Sequence, residues 1–467
     1  MSLTTKTETN NPESGQYWVR SGALTLLERG SGLLFALGSS VILLRYLSKL
    51  DYAAWGMFVL ISYFLEMGRM GLLQNGLVRF LATNRDEPEE YAKITTAALL
   101  LNLLYGLLSI ALLWMSLGWI TSTWHLPQLA YLLPIYYIIN VVMIWFYHCN
   151  FIQQANFEFR GIFWSTFFYR GAKFFWVCIC IVVHREIQLS EIVLAELCGV
   201  VLEALATWRY ALPFLRHNWY ISWNWVRQLL SYGKFVLGTN LGTMFYKNID
   251  KLTLGHLLGP AAFALYDVAG KVTQMIEAPS FSIASVVFPQ SARRMEEQGS
   301  AGVGALYELS VAAILAIILP MLCVVFVFST TIIVLFAGEA YAESAGVLRL
   351  TAFFGLFMPF AVQFGTMLDS TGKPALNFAV TFFTAVLNLV LAYVFVLKFG
   401  LYGAAIAILI GYLISFVVMQ YIMSRHYGVR WWRPFALLPY FYQLGFSFIL
   451  KKLNSLSFFK SRTALLI

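Results

Sequence analysis

Again and again along this chain an almost uninterrupted apolar run of about twenty residues or more gives way to a short polar break. A bilayer core of about 30 Å is crossed by about twenty apolar residues in a helix. Within hydrocarbon each backbone amide must find its partner inside the segment or in a closed barrel. The runs here are far longer than a barrel strand. They fall at 22–44, 53–82, 94–118, 128–151, 161–183, 190–210, 231–256, 262–288, 306–329, 345–369, 375–397 and 402–424. The expected fold is therefore an all-α polytopic membrane protein of about twelve transmembrane helices. A weaker run at 435–450, after Arg433-Pro434 and before Lys451 and Lys452, reads equally as an interfacial helix or a further span.

Composition closes off other classes. The chain is 60% hydrophobic and 12% charged, with a mean hydropathy of +0.71, where soluble domains are about a quarter charged. Its longest polar stretches, the first twenty residues, 84–93, 209–228 and 289–304, leave no room for a soluble catalytic domain. No nucleic-acid partner is expected from the net charge of +9, because Lys and Arg anchoring on the cytoplasmic side accounts for most of it. Cys149, Cys178, Cys180, Cys198 and Cys323 all sit in apolar runs and read as packing residues. Neither a disulfide framework, a metal site nor a cofactor is suggested. The polar N-terminal stretch lacks a cleavable signal's short apolar core, so the first span is expected to serve as the insertion signal.

Arg79, Arg85, Lys93, Arg160, Arg209, Arg216, Arg227, Arg293, Arg294, Lys373, Arg425, Arg430 and Arg433 share one set of span ends, against Arg45, Lys49, Arg185, Arg349 and Lys398 on the other. The positive-inside rule puts the richer side, and the N-terminus, in the cytoplasm. The expected organisation is a cytoplasmic segment (1–21), an N-terminal six-helix bundle (22–210), an amphipathic aromatic linker (211–230), a C-terminal six-helix bundle (231–424) and a basic C-terminal segment (425–467). The linker carries Trp219, Tyr220, Trp223 and Trp225 between Arg216 and Arg227, a pattern suited to the headgroup region.

The two halves echo each other. RYLSKLDYAAWGMF from Arg45 aligns without a gap to HLLGPAAFALYDVA from His256, and the segment 150–156 corresponds to 365–372 one half-chain later. Both halves start on the same side, so the repeat is parallel, with a central cleft expected between two bundles that rock for alternating access.

These stretches, with Tyr232-Gly233, Asn248-Ile249-Asp250-Lys251, Leu257-Leu258-Gly259, Ala264-Leu265-Tyr266, Asp369-Ser370-Thr371-Gly372-Lys373 and Lys398-Phe399-Gly400-Leu401-Tyr402-Gly403, make the chain resemble the bacterial polysaccharide transporters of the O-antigen flippase type. That family lies in the superfamily that also holds multidrug and toxin exporters and the lipid II flippase. The resemblance runs from about residue 20 to 425, with Tyr52 and Trp55 standing where smaller residues are common. It implies passage of an undecaprenyl-pyrophosphate-linked glycan from the cytoplasmic to the periplasmic leaflet of the bacterial inner membrane, with H+ or Na+ as coupling ion and polysaccharide assembly proteins as partners. It implies no covalent chemistry, and no phosphate-cradling Gly-x-x-x-x-Gly-Lys-Ser/Thr run is found.

Ionisable residues inside spans are costly and mark functional candidates. Here they are Glu28 and Arg29; Glu66 and Arg69; Arg170 and Lys173; Glu196 and Glu203; Lys234, Lys247, Asp250 and Lys251; and Asp267, Lys271 and Glu277. An anionic pyrophosphate needs cations, and Arg meets phosphate oxygens in pairs. Arg69, Arg170, Lys173, Lys247, Lys271 and Arg29 are therefore the substrate-binding candidates, with Glu66, Asp250 and Asp267 as carboxylates that orient them or take up the coupling ion. The structural alternative is that Glu66 pairs with Arg69, Lys247 with Asp250, and Asp267 with Lys271 merely to neutralise charge, and that Glu28, Arg29 and Lys234 snorkel to headgroups. His148 reads as a hydrogen-bonded core residue rather than a proton relay. Two rivals stand beside the flippase. A cation-coupled drug exporter would favour an acidic pocket, against the basic excess here. A membrane enzyme acting on the lipid carrier would want larger extramembrane loops than 119–127, 257–261 and 330–344.

Overall fold

The structure, a computed structural model, describes residues 31–447 apart from 33, 157, 184, 185, 219 and 445. Its helices are α1 (Leu34–Tyr46), α2 (Lys49–Thr83), α3 (Pro88–Thr123), α4 (Leu129–Ala155), α5 (Phe159–Val182), α6 (Leu189–Ala211), α7 (Trp223–Leu258), α8 (Pro260–Ala337), α9 (Ser344–Phe354), α10 (Met358–Ser370), α11 (Pro374–Phe399), α12 (Leu401–Tyr427) and the short α13 (Arg433–Ala436). There is no strand among the described residues. Seven of the helices are long and apolar enough to cross a membrane, or eight with the bent pair α9 and α10 counted as one. The chain is an all-α, multi-pass membrane protein.

Local chemistry sets the helix ends. Ser48 caps α2, its Oγ accepting from the Asp51 amide at 3.1 Å, which satisfies one of the free N–H groups of the first turn. Proline opens α3, α8 and α11, where its missing N–H costs nothing. The repeat seen in the sequence has a structural counterpart. The first pair of matching stretches forms the α1–α2 and α7–α8 turns, and the second pair ends α4 and α10.

Two expectations change. Residues 289–304, expected as a polar break between separate spans, are largely helical and lie within α8, whose 78 residues are two helices meeting at a kink. Their Gln, Ala, Arg and Glu residues are good helix formers, and Arg293 Nε donates to Glu297 Oε1 one turn on at 2.6 Å. Within this stretch the interruption falls at Gly299, at φ 65° and ψ −157°, a conformation open to glycine and strained for a residue with a Cβ; a second non-helical residue, Phe328, lies further along α8. The expected span 345–369 is bent by 43° between α9 and α10. There Gly355, Leu356 and Phe357 each donate three residues back, at 2.9–3.1 Å, and Pro359 follows with no amide hydrogen to give. Of the expected linker 211–230, Leu212–Phe214 is a 3₁₀ turn and α7 already begins at Trp223.

The chain divides into two compact units, Met1–Asn248 with Gly259–Ala264, and Ile249–Leu258 with Leu265–Ile467. In the first unit α4 is the hub, packing on α2, α3, α5 and α6. Small residues permit the close approaches that hold helices together in lipid, where no hydrophobic force separates protein from solvent. A Cβ at Gly199 would lie 2.7 Å from the Tyr169 carbonyl of α5, and one at Gly106 would lie 2.7 Å from Ile144 of α4. The second unit is centred on Tyr307, Val311, Leu315, Phe360, Phe364, Met367, Met419 and Met423. Apolar side chains turn outward as well. On α3, Leu104, Leu108, Leu112 and Met115 follow one face and are 51–76% exposed, a stripe that water would penalise and acyl chains accept. Cys198 and Cys323 are also exposed, so of the expected packing cysteines only Cys149 and Cys180 are fully buried.

Candidate functional site

In the first unit, α2 and α4 run in the same sense, and a seam of polar contacts joins them. Tyr136 on α4 donates to the Ser62 carbonyl on α2 at 3.3 Å. Further along, Arg69 Nη2 donates to Asn140 Oδ1 at 2.6 Å, and the Tyr147 hydroxyl donates to Glu66 Oε2 at 3.3 Å. Arg69 is only 2% exposed. Its guanidinium carbon lies 5.7 Å from the Tyr105 ring and 5.4 Å from the Tyr147 ring, so two π faces help to replace its hydration. Among the described residues nothing accepts a hydrogen bond from its Nε or Nη1. Buried donors left in that state carry a desolvation penalty that an incoming acceptor would relieve.

Beside this seam, α5 and α6 contribute a second charged group. Lys173 Nζ lies 2.9 Å from Glu196 Oε2 and 5.0 Å from the Trp55 ring centroid. The other Glu196 oxygen accepts from the Tyr169 hydroxyl. Tyr52 and Trp55 are both buried, so their bulk is spent on packing and on this cation. Glu203 is buried too, and its Oε2 lacks a hydrogen-bond partner among the described residues. Arg170 lies exposed near α1. Gly32 makes room for it, since a Cβ there would come within 2.8 Å of the Arg170 Nη1.

In the second unit one carboxylate serves two cations. Lys251 Nζ donates to Asp267 Oδ1 at 2.6 Å, and Lys271 Nζ lies 3.4 Å from Asp267 Oδ2. Asp250, 5% exposed, accepts from the Tyr266 hydroxyl at 3.3 Å.

The structure thus brings Glu66 and Arg69 together in one seam, although their hydrogen bonds go to α4 and not to each other. The expected Asp267–Lys271 contact forms, and Lys251 joins it. Asp250 is met by Tyr266, while Lys247 lies on an exposed face of α7. Arg29 falls outside the described residues. His148 is 1% exposed and meets His217 at 2.9 Å, in keeping with a hydrogen-bonded role. Asn140, Tyr147 and Tyr169 were not among the residues singled out from the sequence. Glu196 was counted among the charged residues inside spans but was not assigned to the site.

A family profile described as "Polysaccharide biosynthesis protein" matches residues 42–346. A probable low-salt glycan biosynthesis flippase of Haloferax volcanii, Agl15, is 24% identical over 204 residues, 44% of this chain and 43% of the relative. An uncharacterized membrane protein of Methanocaldococcus jannaschii is 25% identical over 201 residues, 43% and 40% of the two chains. The chain therefore aligns with less than half the length of these relatives. Among solved structures, the inward closed lipid II flippase MurJ superposes with a TM-score of 0.73 at 14% identity, covering 93% of each chain. An inward-facing multidrug resistance transporter of the MATE family superposes with a TM-score of 0.70 at 16% identity, covering 86% of this chain and 98% of its own. At such identities the likeness is one of fold.

Proposed function

The chain belongs to the polysaccharide biosynthesis protein family, and from that premise we propose that it is a flippase for undecaprenyl-pyrophosphate-linked oligosaccharide, moving an O-antigen, capsule or exopolysaccharide unit from the cytoplasmic to the periplasmic leaflet. The bundles 22–210 and 231–424, joined through 211–230, open alternately to the two sides.

The observation that carries the reading is Arg69. A guanidinium at span depth, 2% exposed, with Nε and Nη1 unpartnered among the described residues, is an incomplete anion site. Its planar donors match phosphate oxygens, and a diphosphate uncovered to it during the cycle would supply the acceptors that the protein does not. Arg170, Lys173, Lys247, Lys271 and Arg29 guide the same anionic group, and Glu66, Asp250 and Asp267 hold these cations in place or take up H+ or Na+. The reaction is translocation, with no covalent step.

The test is deletion in the native host with mass analysis of undecaprenyl-linked intermediates and their leaflet. Completed oligosaccharide-lipid is expected to accumulate on the cytoplasmic face. Wild type should clear it; Arg69→Ala should not. Arg69→Lys should restore little, because an ammonium offers a point charge where a fork is needed. Normal translocation in the deletion strain, together with increased drug sensitivity, would replace this reading with that of a cation-coupled multidrug exporter.

A further inference from the structure

The polar seam of α2 and α4 does not end at Tyr147. Two turns further along α4, Gln154 Oε1 accepts from Gln74 Nε2 of α2 at 2.9 Å, and Gln154 Nε2 donates to Asn150 Oδ1 at 2.6 Å. From Tyr136 to Gln154 the seam follows about 27 Å of α4, close to the thickness of a bilayer core. Its amide end lies toward the helix termini that lead to Arg85 and Arg160, the basic end of the unit.

From this arrangement we propose that Gln74, Gln154 and Asn150 form a carbohydrate subsite, which receives the first sugar of the cargo beside the pyrophosphate. The inference rests on the flippase reading and adds the sugar-contacting residues to it. A pair that only glued two helices would close its hydrogen bonds. Among the described residues this row stops with Gln74 Oε1 and Asn150 Nδ2 unused. Neither atom is among the buried groups sealed from solvent. One free acceptor and one free donor, carried on neutral groups linked through Gln154, match the adjacent hydroxyls of a sugar ring, each of which both donates and accepts. Charge sorts the cargo along the same helix. Arg69 suits the diphosphate, and Gln74, five residues later and about 7.5 Å along the axis, meets a group that carries no charge. Few and fixed polar contacts of this kind orient a ligand within an otherwise apolar lining.

The experiment uses the purified full-length protein and two probes: the lipid-linked glycan extracted from the deletion host, and sugar-free undecaprenyl pyrophosphate. Gln74→Met and Gln154→Met keep side-chain length and remove the hydrogen bonds. Asn150→Leu removes the free donor. Each variant is expected to bind the glycan-lipid about tenfold more weakly, the effect of one good hydrogen bond, with unchanged binding of the sugar-free carrier and an unchanged melting temperature. Equal losses for both probes, a loss that follows a fall in melting temperature across all three variants, or no loss for any of them would overturn the subsite. If the wild type binds neither probe, the flippase reading itself fails, an outcome separate from a wild type that binds both while the variants match it.

Discussion

Arg69 is held at 2% exposure by one hydrogen bond from Nη2 to Asn140 and by two tyrosine rings. Asn140→Leu removes the acceptor while leaving the charge in place. It should destabilise the protein by about 1–3 kcal/mol, read as a lower melting temperature in detergent, whereas Arg69→Leu, which removes the charge as well, should melt closer to wild type while abolishing transport. Asp267 presents the reverse case, one carboxylate between two ammonium groups. Asp267→Asn leaves both lysines without that counter-charge at low exposure, a change of about 3 kcal/mol or more. Lys251→Met removes one cation and keeps the Lys271 contact, so it should cost clearly less by the same melting assay. A reversed order of the two variants would show that the carboxylate does not hold the group together. The Asp267–Lys271 contact was legible in the sequence because four residues separate neighbours on one helix face. The Asn140 partner of Arg69 was not, because it lies 71 residues away and is brought there only by the packing of α4 on α2.

Elements that looked like gaps in the sequence turn out to be fixed structure. In α8 the helix-forming polar residues override the hydropathy dip, and the helical backbone is broken only at Gly299 and Phe328. Gly299→Ala should cost about 1–2 kcal/mol, since an L-residue is poorly suited to its positive φ; a melting temperature unchanged from wild type would show that the break relaxes freely. The connection into α7 is pinned as well. Asn218 exchanges hydrogen bonds with Thr96, at 2.8 Å and 3.1 Å. Trp225 Nε1 donates to Glu90 Oε2 at 2.7 Å, Arg216 lies over the Tyr91 ring, and His217 meets His148 at 2.9 Å. The aromatic and basic composition of this segment pointed to the headgroup region, but composition cannot reveal which helix a loop is tied to. Desolvation holds the His217 imidazole below its ordinary value, so the docked loop binds fewer protons than a released one. Docking is then fully stabilised above about pH 6.5 and weakens as pH falls below it, with a second proton bringing like charges together beside Arg216. A spin label at position 220 should gain mobility below about pH 6. His217→Gln, which does not titrate, should remove that step; if the step persists in the variant, another group drives it.

At the scale of the whole molecule, the span rhythm was legible because the bilayer imposes one length on every crossing, and the helices follow it even where α8 joins two expected spans. Orientation rests on a different signal, the unequal distribution of Lys and Arg between the two sets of span ends. Arg79, Arg85, Lys93, Arg160, Arg209, Arg216 and Arg227 share one side of the first unit by the order of its helices, which we assign to the cytoplasm. Two exposed positions separate the alternatives, Asp86 in the α2–α3 connection and Ser122 at the far end of α3. Single cysteines there, in a background with Cys198 and Cys323 replaced because both are exposed, should react oppositely with a membrane-impermeant maleimide applied to spheroplasts. Ser122→Cys should label from outside, and Asp86→Cys only after lysis. The reverse pattern would place the arginine-rich ends outside and, with them, the Gln74, Gln154 and Asn150 end of the seam. A glycan-lipid made in the cytoplasm would then meet the Tyr136 end of the seam first, and the proposed sugar subsite would lie beyond Arg69 on the exit side of the path.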